Sequence, residues 1–175
     1  PPPRDMYLPR HSVYVNEEDL SRGLCGARRP GHFRGVCTVV AKLFNIVHPD
    51  FAVFGQKDYQ QAQVVKRMVR DLNFDLEVVV APIVREASGL ALSSRNTYLS
   101  DDERVRAAAI HRALSRLNSV KGIESALKKA GLEVDYVECV DAETLEPRKK
   151  IGPGTCVLAA AWCGKTRLID NVLRK

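Results

Sequence analysis

Several patterns are missing from this 175-residue chain, and each absence excludes a class of protein. No apolar run approaches the ~20 residues of a membrane-spanning helix. There is also no signal-peptide pattern, so we expect a cytoplasmic protein with no membrane partner. The five cysteines are odd in number and none forms a C-x-x-C pair. This spacing predicts reduced thiols rather than a disulfide framework.

Common catalytic and metal-binding motifs are also absent. No cluster of His, Cys, Asp or Glu has metal-ligand spacing, so no metal-ligating residue is predicted. The chain contains no Walker lysine loop and no G-x-G-x-x-G fingerprint. Ser93 and Ser94 lack the flanking glycines of a serine-hydrolase elbow. The chemistry must therefore be sought in other residues.

The charge balance is basic. The net charge is +6, from 27 basic and 21 acidic side chains. Such an excess is compatible with nucleic acid, but the basic residues are spread along the chain and their clusters are short. We therefore expect no nucleic-acid partner and a site for small anionic substrates.

Helical and strand patterns alternate from residue 33 onwards. Apolar residues recur at helical spacing up to residue 48, an apolar run covers 51–54, a second helical pattern covers 59–72, and a second apolar run covers 76–83. This order predicts a parallel sheet with helical crossovers, and the continuous runs predict strands buried on both faces. A separate short strand is predicted over residues 12–15, with Val13 and Val15 facing one way.

The character of the sequence changes at Ser100. Ser100 and Glu103 have the spacing of a capping box, which predicts the start of a helix that runs to about Leu117. A shorter helix is expected over 122–129, followed by three strands over 134–140, 156–162 and 167–173. We therefore predict an α/β sheet domain over residues 1–99 and a small α+β domain over residues 100–175.

Two loops carry residues suited to binding anions. Lys57 lies in the turn from the first apolar strand into its helix, where free N–H groups favour phosphate. The loop after the second strand presents the hydroxyls of Ser93 and Ser94 and the guanidinium of Arg95. Ligands bind at such turns in open α/β sheets, so we expect both loops to face one crevice. Such a set suits phosphoryl or nucleotidyl transfer.

A third basic segment precedes the first long helix. It carries Arg29, His32 and Arg34 beside two glycines and a proline. An anion site at the helix start is one interpretation. A solvated helix start is the other.

Four segments resemble the pantothenate synthetase (pantoate–β-alanine ligase) family, and they occur in the same order. They are RPGHFRGV at 29–36, FGQKDYQQ at 54–61, REASGLALSSRN at 85–96 and TRLIDN at 166–171. The resemblance spans essentially the whole chain but only the later part of the family. The family's His-x-Gly-His signature has no counterpart here. We therefore expect a fragment of a longer protein, inactive by itself.

The resemblance implies an α/β fold and an activity. Residues 1–99 would be the later part of a Rossmann-like nucleotidyltransferase parallel-sheet domain, and residues 100–175 a C-terminal α+β lid domain. The family joins pantoate and β-alanine to give pantothenate through a pantoyl adenylate, and releases AMP and pyrophosphate. ATP with Mg²⁺ and a homodimer are implied. The alternatives are another adenylate-forming nucleotidyltransferase, or an inactive fragment that binds or dimerises.

The resemblance also implies roles for individual residues. Lys57, Ser93, Ser94 and Arg95 would be catalytic, and Gln61 would hydrogen-bond pantoate. The ATP-binding set would be Gly55, Gln56, Lys57, Asp58, Val84, Leu92, Ser93, Ser94 and Arg95. The chain departs from the family pattern at Gln56, where glutamate is usual, and at Ser88, where an acidic or amide residue is usual. Its C-terminal helical part, residues 100–131, is shorter.

Overall fold

The structure is a computed structural model that describes residues 3–175. The chain divides into two compact units. The first contains the residues up to 54 together with 59–81, and the second contains 55–58 together with 82–175. The short segment 55–58 therefore belongs with the C-terminal part of the chain, although both of its sequence neighbours belong to the first unit.

The first unit has the predicted alternation of helices and strands. Its elements are α1 (Pro3–Met6), α2 (Leu24–Arg28), α3 (His32–Val47), β1 (Phe51–Gly55), α4 (Tyr59–Asp71) and β2 (Glu77–Ala81), and only the last residue of β1 groups with the second unit. Strands β1 and β2 pair in a two-stranded parallel sheet. The α/β class expected from the periodicity is confirmed.

Burial of these strands differs from the prediction. Alternate side chains of β1 are exposed, with Phe51 at 62% and Val53 at 59%, and Val79 of β2 is 38% exposed. The prediction of strands buried on both faces is therefore wrong for the part of the chain that the structure describes. A run of apolar residues indicates a strand, but what covers each face is a tertiary property.

The strand predicted over residues 12–15 is also wrong, because this segment has no regular secondary structure. The backbone N–H of Val15 donates instead to Thr38 Oγ1 on α3, at 3.0 Å. The same hydroxyl donates to the carbonyl of Arg34 at 2.7 Å. A helix side chain thus accepts the backbone N–H that a neighbouring strand would have accepted in a sheet.

The second unit is built on a three-stranded antiparallel sheet in the order β3-β4-β5. Its elements are α5 (Asp101–Ala107), α6 (Ala109–Arg116), α7 (Val120–Lys129), β3 (Glu133–Asp141), β4 (Thr155–Cys163) and β5 (Thr166–Leu173). Two 3₁₀ turns, Gln56–Asp58 and Ser94–Tyr98, also belong to it. The two predicted helical segments and the three strands are all present.

The core of this unit lies between the helices and the sheet. Leu114 of α6, Ile123 and Leu127 of α7 and Val157 of β4 are fully buried. The capping box at Ser100 is formed by reciprocal bonds with Glu103. The helix expected to run from there to about Leu117 is divided at Ala108 into α5 and α6.

Residues 82–99 pack with the C-terminal unit. The domain division at residue 99 stays a prediction. Within residues 3–175, no helix is both long and apolar enough to cross a membrane. No disulfide joins any of the five cysteines, and Cys37, Cys139, Cys156 and Cys163 are buried.

Candidate functional site

The loop that follows β2 folds back on itself as a tight hairpin. Arg85 pairs with Ala91 in an isolated antiparallel bridge, and the N–H of Leu92 donates to the carbonyl of Val84 at 2.9 Å. Gly89 turns the chain with a φ of 89°, a left-handed conformation that glycine adopts without strain. The hairpin therefore fixes the position of the backbone just before Ser93 and Ser94.

The 3₁₀ turn Ser94–Tyr98 follows Ser93 and is anchored by its own residue Asn96, which is 3% exposed. Its amide donates to the carbonyl of Ala91 at 3.1 Å and to Glu86 Oε1 at 2.9 Å. Arg104 Nη1 also donates to Glu86 Oε1, at 3.1 Å. Ser93 caps the turn by accepting the N–H of Arg95 at 3.2 Å. Both amide hydrogens of Asn96 are thus bonded and tie the loop to Glu86 and Ala91, while its buried Oδ1 has no hydrogen-bond partner among the described residues.

The turn that carries Lys57 is held by a single residue of β5. The side-chain amide of Asn171 donates to the carbonyls of Gln56 at 2.9 Å and Lys57 at 3.1 Å. Its Oδ1 accepts a bond from Gln56 Nε2 at 3.1 Å. Asn171 is 1% exposed, and both of its amide hydrogens and its oxygen bond to this turn.

Next to Asn171, Asp170 forms a two-point ion pair with Arg85. The Asp170 carboxylate also accepts the backbone N–H of Asn171 at 2.8 Å. His111 of α6 lies nearby, with Nδ1 3.9 Å from Asp170 Oδ2. Burial, and then the positive charge of Arg85, lower the pKa of His111, while the Asp170 carboxylate opposes them. A neutral imidazole therefore lies beside the ion pair at neutral pH.

Lys57 and Ser93 line the same small cleft of the second unit. The full lining is Lys57, Leu90, Ala91, Ser93, Asn96, Ile110, Leu168, Ile169 and Asp170. Two loops that are separated in sequence thus contribute a cation and a hydroxyl to one cleft, and the anion site stays a prediction. Ser94 and Arg95 are exposed and do not line this cleft. Arg95 Nη1 instead lies 3.4 Å from the carbonyl of Arg167.

The other predicted ATP-binding residues lie close in sequence to these two. Gly55, Gln56 and Asp58 flank Lys57, and Lys57 Nζ is 3.9 Å from Asp58 Oδ2. Val84 and Leu92 are both exposed and meet through the backbone bond at the base of the hairpin.

Gln61 and the basic segment before α3 belong to the first unit. Gln61 is half-buried on α4. The guanidinium of Arg34 stacks over the ring of Tyr14, 3.7 Å from its centroid. Arg29 Nη1 lies 3.0 Å from His32 Nε2. These contacts engage Arg34 and Arg29 within the first unit, which favours the interpretation of this segment as an ordinary helix start.

Sequence reasoning assigned no role to the residues that hold the site together. These are Arg85, Asn96, Asp170 and Asn171. One signal was available in the sequence: Asp170 and Asn171 are adjacent polar residues within the apolar strand predicted over 167–173, and the structure buries both. Buried polar side chains are hydrogen-bonded as a rule, so a polar pair in a strand predicts specific partners.

No group of three or more His, Cys, Asp or Glu residues within 3–175 is placed to hold a metal ion. Two carboxylates of this region are already engaged. Asp170 pairs with Arg85, and Glu86 accepts from Asn96 and Arg104. These side chains are therefore poor candidates for ligands to a divalent cation.

The chain is similar to known proteins over nearly its whole length. A family model described as pantoate-beta-alanine ligase matches residues 1–173. The pantothenate synthetase of Pseudothermotoga lettingae is 54% identical over 181 residues, which cover 96% of this chain and 64% of that protein. The pantothenate synthetase of Moorella thermoacetica is 52% identical over 186 residues, which cover 99% and 66%. The chain thus spans 64–66% of the length of these relatives.

Solved structures match over nearly the whole chain. The crystal structure of pantothenate synthetase from Thermus thermophilus superposes with a TM-score of 0.90 at 43% identity, and the match covers 97% of this chain and 66% of that one. A pantoate-beta-alanine ligase from Francisella tularensis, complexed with beta-gamma ATP and beta-alanine, superposes with a TM-score of 0.81 at 31% identity. That match covers 97% of this chain and 61% of the other.

Proposed function

This chain belongs to the pantoate–β-alanine ligase family, and we propose from that premise that the complete protein uses ATP to join pantoate to β-alanine. The observation that carries the proposal is the cleft that Lys57 and Ser93 both line. Both residues lie in segments that resemble the family, and both side chains suit phosphate oxygens. The Francisella tularensis relative, complexed with an ATP ligand and beta-alanine, supports the choice of substrates.

In the first step, a carboxylate oxygen of pantoate attacks the α-phosphorus of ATP. The bond from that phosphorus to the bridging oxygen breaks, and pyrophosphate leaves with the bonding electron pair. Negative charge accumulates on the phosphate oxygens during this transfer. The ammonium of Lys57 and the hydroxyl of Ser93 stabilise that charge by direct contact, which is how phosphoryl-type transfers are accelerated.

In the second step, the amine of β-alanine attacks the acyl carbon of pantoyl adenylate. The carbon–oxygen bond to AMP breaks, the amine gives up a proton, and an amide bond forms. AMP then leaves with the electron pair. The protein's part is to hold the mixed anhydride away from water until the amine arrives.

The remaining residues take the roles that the family resemblance implies. Ser94 and Arg95 would contact the phosphates as these rearrange, although neither lines the cleft in this structure. Gln61 would hydrogen-bond pantoate. ATP would be contacted by Gly55, Gln56, Asp58, Val84 and Leu92 in addition to the catalytic residues.

Mg²⁺ would enter with ATP. The engaged carboxylates around the cleft leave phosphate oxygens and water as its natural ligands, since Mg²⁺ is often held through substrate phosphates. The metal would neutralise phosphate charge. Lys57 would act on the oxygens that remain.

The domain division at residue 99, a homodimer and a cytoplasmic location belong to the same proposal. They follow the family resemblance. Sedimentation equilibrium of the complete protein tests the dimer directly, and a mass equal to one chain at micromolar concentration would contradict it.

Pantoate-dependent exchange of radiolabelled pyrophosphate into ATP tests the activity. The expected result is exchange that needs pantoate, followed by pantothenate and AMP in equal amounts once β-alanine is added. Exchange that depends on a different carboxylate would instead favour another adenylate-forming nucleotidyltransferase. The absence of exchange with the complete protein would reject the proposal.

A further inference from the structure

We propose that Asn171 is a positioning residue, which sets the place of Lys57 in the cleft without touching a substrate. The inference rests on the proposed function. Neither the periodicity of β5 nor the predicted site residues assign it such a role.

The first support is the use of the side chain. Each amide hydrogen of Asn171 is given to a carbonyl of the Lys57 turn, and its oxygen accepts from Gln56. These partners lie 114 and 115 residues earlier in the sequence. An asparagine that served only to stabilise β5 would form some of these hydrogen bonds with its own strand or with the neighbouring strand of the sheet.

The second support is what anchors Asn171 itself. Its backbone N–H donates to Asp170, and Asp170 is held by the guanidinium of Arg85. Arg85 also donates to the carbonyl of Gly89 at 3.1 Å, within the hairpin that precedes Ser93. A continuous series of bonds therefore runs from the hairpin before Ser93, through β5, to the turn that carries Lys57.

The third support is the compactness of this assembly. The segment 55–58 groups with the C-terminal unit rather than with the strand and helix that it joins. The 3₁₀ turn is therefore packed with the unit that contains β5, and Asn171 bonds to it from that strand. If the amide of Asn171 is removed, Lys57 keeps its charge but loses its fixed location, and small displacements of a reacting group are costly for the rate.

The test is a double-mutant cycle in the complete protein. Asn171→Asp keeps the size of the side chain but places a carboxylate oxygen against two carbonyls. Asn171→Ser removes the amide without burying a charge, which keeps the test available if the first variant fails to fold. Each change is made alone and together with Lys57→Gln.

Two readouts are followed: the rate of pantoate-dependent exchange, and the Kd for ATP by calorimetric titration. We expect Asn171→Asp alone to slow exchange about 10²-fold. When Lys57→Gln is already present, Asn171→Asp should change the exchange rate and the Kd for ATP by less than about threefold further. The effects of two substitutions are not additive when one residue acts through the other. The ATP titration completes the cycle where exchange becomes too slow to follow.

Val157→Ala is the matched control, because Val157 is buried in the neighbouring strand and makes no bond to the Lys57 turn. Val157→Ala should lower the melting temperature, as Asn171→Ser does. At assay temperatures below its own melting temperature it should exchange pyrophosphate at the wild-type rate. Equal fractional losses for Asn171→Asp with and without Lys57 would overturn the inference, as would unchanged exchange in both Asn171 variants. Absence of exchange in the wild-type protein would count against the proposed function instead, and the ATP cycle would still decide the role of Asn171.

Discussion

Arg85 and Asp170 lie 85 residues apart in the sequence and meet as a two-point ion pair. Arg85 Nη1 is 2.7 Å from Asp170 Oδ2, and Nη2 is 3.0 Å from Oδ1. Asp170 is 4% exposed, and the Arg85 side chain is 20% exposed. The pair is therefore shielded from solvent and ties the hairpin after β2 to β5.

Arg85→Ala should destabilise the protein substantially, because it leaves a buried carboxylate without its cation. Loss of one partner from a buried pair costs about 3–5 kcal/mol, and we expect the lower end here since Asp170 keeps the N–H of Asn171. Urea denaturation followed by circular dichroism measures the change. Arg148→Ala is the control, because its pair with Asp141 is on the surface and should matter far less. Equal losses in the two variants would contradict a special role for the Arg85 pair.

Lys57→Ala should slow adenylation far more than it weakens folding. Lys57 lies on a turn and lines the cleft, and its side chain is not part of the apolar core of the second unit. Loss of one group that stabilises developing negative charge lowers a rate by about 10²–10³-fold. Pyrophosphate exchange and a thermal melt separate the two effects, with exposed Lys66→Ala as the matched control. A large fall in melting temperature with exchange retained would remove Lys57 from the site.

Gln61→Ala should chiefly impair the use of pantoate. A hydrogen bond to a charged ligand contributes enough to change an apparent affinity by about 10–100-fold. The measurement is the pantoate KM in the exchange assay, with the ATP KM measured alongside. Gln63→Ala on the same helix is the control, since both glutamines are half-buried. An unchanged pantoate KM in Gln61→Ala would exclude this role.

His111 should make the protein less stable as the pH is lowered. Burial and the charge of Arg85 hold the pKa of His111 below 6.5, while Asp170 pulls it the other way. The unfolded chain therefore binds the proton more readily, and stability declines as the pH falls from about 6.5 through the folded-state pKa. Urea midpoints at a series of pH values should fall less steeply for His111→Gln than for wild type. Parallel curves for the two proteins would refute this prediction.

The positions of the helices and strands were largely predictable, because the sequence signals for them are local. The capping box at Ser100 needs only four consecutive residues, and the structure forms it as predicted. The helix from His32 to Val47 follows from apolar spacing alone. Burial was less predictable: Phe51 and Val53 are apolar yet exposed, because no element of the described chain covers that face of β1.

Local patterns along the chain were enough to establish the order of elements, the family, and the two loops that carry Lys57 and Ser93. Periodicity, caps and motif spacing are properties of neighbouring residues, so they can be recognised without knowing how the chain folds. The bonds from Asn171 to the Lys57 turn and from Arg85 to Asp170 became visible only in the folded chain. These partners are about a hundred residues apart in the sequence. The packing of β5 brings them together, and no local sequence pattern predicts that packing.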